Sequence, residues 1–377
     1  MTQSTATQTL GLGVLGLGEG RSVISAALSS NRWDLRLLCD LNEELCQARG
    51  DEFDFHRYTL AYDDLLADPS VDVVAIYTPD RFHASHIEQA LAAGKHVICT
   101  KPLIDDLKDA PRLLQLADTA DRHVFVGQST RFFEGFMRQR AEFDAGVLGQ
   151  LVTLETHYHA DHRWFIAKPM TDASRYKPLF GGGSHPIDLI RWYLPNIHTL
   201  VAFGDMSPNG KDVGLVHPDN FHALFRDADG RIARASGCYN TPTEPSDFAA
   251  HIRCTLRGTH GASHADLPHL RYARSAAGQP PHIETYEDRR AYYFRFEGTS
   301  HHAGEYQNYI DYFADQLAQG LAPQPGIREG LGTVALMSAL EHSIETGDQV
   351  VMPDFLATHG LPRDLLTPSA PPAPPAR

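Results

Sequence analysis

Gly13-Val-Leu-Gly16-Leu-Gly18-Glu-Gly20-Arg21-Ser22 decides how this 377-residue chain is read. A short apolar run enters a turn of glycines. A segment with Val23, Ile24, Ala27 and Leu28 on one face follows it. The run reads as a buried strand and the segment as a helix. A glycine turn between the two lets backbone N–H groups and the helix N-terminus face a pyrophosphate. The glycines stand at 16, 18 and 20, and Arg21 occupies the place of the third glycine in the usual fingerprint.

Asp40 closes the next apolar run, residues 35–39, about 20 residues further on. A carboxylate there accepts hydrogen bonds from the adenosine ribose and repels a 2′-phosphate. The expected cofactor is therefore NAD rather than NADP, with Arg21 adding positive charge for the pyrophosphate. Further strand runs at 71–77, 96–99 and 124–126 alternate with helical segments at 42–52, 83–93 and 105–120. This alternation predicts a doubly wound parallel sheet. After Arg131 the pattern lengthens into alternating runs at 151–159, 200–203, 221–225, 231–239, 251–257 and 291–296. These predict a mostly antiparallel sheet, with amphipathic helices at 306–319 and 330–346. The fold class expected is α/β, with a Rossmann domain followed by an α+β domain. The boundaries expected are a flexible tail at 1–10, an NAD-binding domain at 11–130, a substrate-binding and oligomerisation domain at 131–360, and a proline-rich tail at 361–377.

Lys+Arg number 33 against Asp+Glu 47, a formal charge of −14. That balance argues against a binder of nucleic acid, which relies on Lys and Arg to displace counterions. No apolar run approaches the ~20 residues that span a bilayer, and the start carries no basic leader. The five cysteines are scattered and odd in number, which fits a reduced, cytoplasmic setting.

Two stretches carry the chemistry. Cys99-Thr-Lys101-Pro102 follows the fourth strand, and Thr78-Pro79 with His83 follows the third. Ligands of open α/β sheets bind beyond the carboxyl ends of the strands, so these residues stand at the mouth of the cofactor site. Gly181-Gly-Gly-Ser-His185-Pro-Ile-Asp188 lets the backbone approach a ligand and then starts a helix. His185 stands in its first turn, and Asp188 is near enough to orient the ring or cap the helix. A neutral imidazole there can take a proton from an alcohol. A third stretch, Thr156-His157-Tyr-His159-Ala-Asp161-His162-Arg-Trp164, sets His157, His159 and Asp161 in one row if it is a strand. Three readings stay open for it: sugar contacts, ordinary polar strand surface, or a metal site, although no metal is expected. Trp164 either stacks on a sugar ring or packs in the core. His301-His302 reads as a solvated turn.

Taken in order, Gly16-Leu-Gly18, Asp40, Ala75-Ile-Tyr-Thr-Pro79 with His83, Ala93-Gly-Lys-His-Val-Ile-Cys-Thr-Lys-Pro102, Gln128-Ser-Thr-Arg131-Phe, Gly146-Val-Leu-Gly149 and His185-Pro-Ile-Asp188 resemble the Gfo/Idh/MocA family. These are the relatives of glucose–fructose oxidoreductase and inositol dehydrogenase. The likeness extends to Ser343-Ile-Glu-Thr-Gly347. It implies a Rossmann domain, a second domain whose large, mostly antiparallel open sheet often mediates oligomers, and NAD(P)-dependent redox chemistry on sugars, glycosides or polyols. It implies that Lys101 matches the lysine of the family's Glu-Lys-Pro motif and His185 the catalytic histidine. Arg131 joins the residues expected at the cofactor. Two departures stand out. Thr100 replaces the glutamate, and Gly181 stands where the family often carries an Asp four residues before the histidine. Asp161 or His162 is expected to replace that acid, and His159, His162, Trp164 and Asp188 to contact substrate.

The expected reaction passes a hydride between NAD and a secondary hydroxyl or ketone. Lys101 stabilises alkoxide charge and His185 moves the proton. Two alternatives remain. One is a lyase, epimerase or glycoside-cleaving enzyme with permanently held NAD. The other is a nucleotide-dependent sensor without catalysis. A homodimer or homotetramer is expected, because a half-apolar sheet face needs covering.

Overall fold

The computed structural model describes residues 9–168, 171–242, 250–288 and 304–367. Six parallel strands form the first sheet: β1 (Leu10–Leu15), β2 (Trp33–Cys39), β3 (Tyr58–Thr59), β4 (Val73–Ile76), β5 (His96–Thr100) and β6 (Val124–Gly127). Their order is β3-β2-β1-β4-β5-β6. The sheet is buried on both faces, so its strands are near-continuous runs of Val, Ile and Leu rather than alternating ones. The chain reverses direction across the sheet between β1 and β4, which pair in parallel. That reversal opens a crevice beyond their carboxyl ends, the usual ligand position in such sheets.

The second sheet has nine strands: β7 (Leu151–Ala160), β8 (Ile197–Asp205), β9 (Asn220–Asp227), β10 (Ile232–Tyr239), β11 (Ala250–Gly258), β12 (Gly261–Asp266), β13 (Arg271–Ala276), β14 (His282–Thr285) and β15 (Val350–Val351). The order is β14-β13-β12-β11-β7-β10-β9-β8-β15, antiparallel except where β7 meets β10. β9 shows why one face closes. Phe221, Ala223 and Phe225 are buried, while His222, Leu224 and Arg226 point out. Helix Ser184–Tyr193 lies on the closed face and is buried along almost its whole length. Helix Ile327–Thr346 packs beside it. The sequence reading missed β12 to β14. The strand expected at 291–296 and the pair His301-His302 lie outside the described residues.

Packing redraws the expected boundaries. Helix Glu305–Ala318 stands late in the chain, yet Tyr309, Ile310 and Phe313 sit in the same core cluster as Leu12, Val14 and Phe125 of the first sheet. Trp33 stacks on Phe313 with ring centroids 6.1 Å apart. The helix thus belongs to the first domain, although it lies within the span 131–360. The start of the expected tail at 361 is also corrected. Leu361, Leu365 and Leu366 are buried in the larger core cluster, because apolar residues at that spacing still find a surface to cover.

Candidate active site

The glycine turn lies at the reversal point of the first sheet. Gly16 has φ +87°, and a Cβ there would run into the backbone of Tyr77 and Thr78 at the end of β4. Only glycine permits that approach. Gly18 is the opposite case: a Cβ would meet nothing within 4 Å, which leaves room for a phosphate over the turn. Gly20 closes the turn beneath the first turn of helix Arg21–Leu28. At the end of β2, Asp40 accepts the backbone N–H groups of Leu17 at 2.8 Å and Asn42 at 3.0 Å. Its carboxylate is thereby pinned at the rim of the turn, with lone pairs left for ribose hydroxyls. Leu41, next to it, is 91% exposed and offers an apolar plate for an adenine. These features fit a dinucleotide.

Arg21, expected to add positive charge for the pyrophosphate, donates from Nε to Glu52 at 2.6 Å. Glu52 also pairs with Arg49 at 2.9 Å, and Arg49 Nε donates to the Leu17 carbonyl at 3.0 Å. The sequence reading missed Arg49, because a helix had to fold back over the turn to bring it there. Glu52 therefore offsets the positive charge of both arginines at the glycine turn.

Above the turn, Thr78 shares a hydrogen bond with His86 at 3.0 Å, and Pro79 is exposed. His83 is buried and lies inside the protein rather than against the cleft. Its Nδ1 meets the carbonyl of buried Pro102 at 2.9 Å and its Nε2 the carbonyl of Thr78 at 2.8 Å. It ties together the loops that follow β4 and β5. Lys101, in the second of those loops, crosses to the other domain and donates from Nζ to the Gly181 carbonyl at 2.9 Å. Burial lowers its pKa to about 8, partly offset by Glu19 and Asp80. Neither acid forms an ion pair with it, and among the described residues no carboxylate does.

Ser184 donates to the same Gly181 carbonyl at 2.8 Å, so Lys101 and the start of the His185 helix meet on one atom. His185 Nδ1 shares a hydrogen bond with Thr130 at 2.6 Å. Thr130, not Asp188, orients the ring. Asp188 is buried and accepts from Arg131 Nε at 2.6 Å and Nη2 at 2.8 Å, and from Thr333 at 3.1 Å. Arg131 also lies over Trp192 at 5.2 Å. Arg131 and Asp188 therefore form an interior joint between the domains. This corrects the expectation of Arg131 at the cofactor and Asp188 at the substrate.

The histidine-rich stretch divides by strand parity. Tyr158 faces the closed side and lies edge-on to His185, with centroids 5.3 Å apart. His157 and His159 face the opposite side, stacked at 4.7 Å, and His159 is in register with Cys238 and His251. His159 is thus removed from the cleft. Asp161 is engaged with Arg163 and does not serve as the missing acid. His162 lies just past the strand end and turns into the cleft. It stacks on Tyr239 at 5.0 Å and meets the hydroxyls of Tyr176 at 3.1 Å and Tyr158 at 3.4 Å. Burial first, and the Lys101 charge second, lower its pKa to about 3, so it is neutral at pH 7. Trp164 is half exposed beside Lys168, whose ammonium stands 4.7 Å from its ring centroid and 3.0 Å from Glu19 of the glycine turn. Trp164 thus stands at the mouth of the cleft between the domains. Among the described residues no three His, Cys, Asp or Glu side chains are arranged to hold a metal, and no helix is long and apolar enough to cross a membrane.

Gly181 has a local cause. A Cβ there would lie 2.5 Å from the Tyr176 hydroxyl, so an aspartate cannot occupy this position while the tyrosine stands where it does. No sequence signal marked Tyr176, which lies in an irregular segment ahead of the glycines.

Comparison with known proteins agrees with this architecture. Residues 10–128 match the family model of an oxidoreductase family with an NAD-binding Rossmann fold, and residues 136–264 match that of the GFO/IDH/MocA C-terminal domain. The chain is 30% identical over 187 residues to 1-carboxy-3-chloro-3,4-dihydroxycyclohexa-1,5-diene dehydrogenase of Comamonas testosteroni, covering 48% of this chain and 46% of that protein. It is 26% identical to inositol 2-dehydrogenase 1 of Saccharopolyspora erythraea, covering 80% of this chain and 82% of that protein. Among solved structures, a levoglucosan dehydrogenase in complex with NADH superposes with a TM-score of 0.78 at 18% identity, over 91% of this chain and 99% of that one. With both of its domains matched, the chain belongs to the GFO/IDH/MocA family and is an NAD-binding oxidoreductase.

Proposed function

We propose that this enzyme interconverts a secondary alcohol and a ketone on a sugar or polyol, with NAD as its redox partner. One observation carries the reading. Lys101 and the His185 helix converge on the Gly181 carbonyl, beyond the strand ends and beside a turn shaped for a dinucleotide. The glycine turn and Asp40 would hold the NAD, which would supply the acceptor for the carbon-bound hydride. Lys101 Nζ, as the ammonium, stabilises negative charge on the substrate oxygen. His185, held by Thr130 at Nδ1, takes the hydroxyl proton and returns it in the reverse direction. The aromatic lining limits access of water, which strengthens the attraction between the Lys101 ammonium and a substrate oxyanion. Trp164 offers a face on which a sugar ring can stack. The similarity to inositol 2-dehydrogenase and levoglucosan dehydrogenase supports this substrate class.

Asp40, together with the neutralising role of Glu52, supports NAD over NADP. The test is purified protein with NAD or NADP against inositols, levoglucosan and glucose, followed by absorbance and fluorescence of the reduced nicotinamide. The reading expects net reduced cofactor with NAD and at least one of these compounds. A cofactor that arrives bound, cycles and is never released would instead place the enzyme among lyases or epimerases.

A further inference from the structure

We propose that Tyr176, oriented by His162, is a substrate-contacting residue of this centre and reads a second oxygen of the substrate beside the one held by Lys101. The proposal rests on the alcohol–ketone reading above.

The argument begins with position. The Tyr176 hydroxyl lies against Gly181, 2.5 Å from where a Cβ would stand, and the carbonyl of that same glycine holds Lys101 Nζ. Tyr176, His162 and Lys101 are each only partly enclosed, as groups that line a cleft must be. His185 and Tyr158 are more deeply enclosed. The second step is the count of hydrogen bonds. Tyr176 has one described partner, His162 Nδ1 at 3.1 Å. A phenol offers one donor and two acceptor sites, so the hydroxyl retains capacity toward the cleft.

The third step is direction. His162 is bracketed by two tyrosine hydroxyls, Tyr176 at Nδ1 and Tyr158 at Nε2, and burial with the Lys101 charge keeps it neutral. A neutral imidazole carries its proton on either nitrogen. With the proton on Nε2, Tyr176 donates to Nδ1 and offers only lone pairs to the cleft. With the proton on Nδ1, His162 donates to Tyr176, and the phenol hydrogen turns outward. Tyr176 can therefore accept from a substrate hydroxyl or donate to a substrate oxygen without any change of charge. A carboxylate in this place could only accept. His162 acts through Tyr176 and is a positioning residue. A centre so arranged selects a neutral vicinal diol, one oxygen on Lys101 and its neighbour on Tyr176.

The experiment uses the full-length enzyme with inositol or levoglucosan, whichever it oxidises, and the monodeoxy analogues of that compound. Tyr176→Phe keeps the ring against Gly181 and removes only the hydroxyl. It is expected to raise KM at least five-fold while NADH affinity, read by fluorescence, stays at the wild-type value. The analogue lacking the neighbouring hydroxyl should cost the wild type a similar factor and the variant almost nothing. His162→Asn should show the same KM increase in milder form. Equal kinetics of Tyr176→Phe and wild type on the intact substrate, or equal penalties for every deoxy analogue in both proteins, would overturn the proposal and leave the functional reading standing. A wild type that turns over none of these compounds would overturn that reading and this proposal with it.

Discussion

Lys101 shows how burial tunes a single side chain. A solvated lysine titrates at about 10.4, but enclosure brings the pKa of this one down to about 8. The ammonium is the form that stabilises an oxyanion, so ketone reduction should fall as pH rises through about 8. Lys101→Met should abolish that titration and lower kcat by about 100-fold or more, as measured by initial rates across pH 6–10. Asp40 acts at the other end of the cofactor site. Asp40→Ala removes two backbone hydrogen bonds and the charge that repels a 2′-phosphate. It should weaken NAD binding about ten-fold and bring NADP binding close to it, as measured by titration of each reduced nucleotide.

Helix Ser184–Tyr193 carries His185 on its first turn and Asp188 one turn later, yet the two side chains serve different ends. His185 faces Thr130 and the cleft. Asp188 faces Arg131 and Thr333 in the interior. The helix is locked by the buried ion pair between Arg131 and Asp188, whose side chains are 7% and 2% exposed. Removing one partner of such a pair leaves the other charge buried and unpaired, at a cost of about 3–5 kcal/mol. Arg131→Met should therefore lower stability by about that amount in a denaturant melt. NADH affinity should hardly change, because the guanidinium contacts protein rather than cofactor. A large loss of NADH affinity in a folded variant would return Arg131 to the cofactor site.

The open face of the nine-stranded sheet carries exposed apolar side chains. Phe203 is 72% exposed, and Leu224 on the neighbouring strand is 56% exposed. Their partners in register are His222 and Val201, so polar and apolar side chains share this face. An exposed apolar patch on a broad sheet suits a symmetric partner of the same kind. Sedimentation velocity at micromolar concentration should report a dimer or tetramer. Phe203→Asp combined with Leu224→Lys should shift the distribution toward monomer while the melting temperature stays within a few degrees. A wild type that sediments as a monomer would remove this role for the face.

Local pattern alone was enough to read the main strands of the first sheet and the glycine turn. Glycines 16, 18 and 20, the strand-end Asp40 and the alternation of apolar runs with amphipathic helices all act within about 30 residues. Backbone geometry and periodicity express themselves at that range. That Lys101 follows a strand and His185 opens a helix was legible as well. What folding alone decided was pairing across the chain. Arg131 meets Asp188 57 residues on, Lys101 meets Gly181 80 residues on, and helix Glu305–Ala318 returns to the first domain's core. Strand parity separated His159 from His162, and folding brought Tyr176 against His162. Such contacts depend on which surfaces are buried together, and one-dimensional spacing carries no record of that choice.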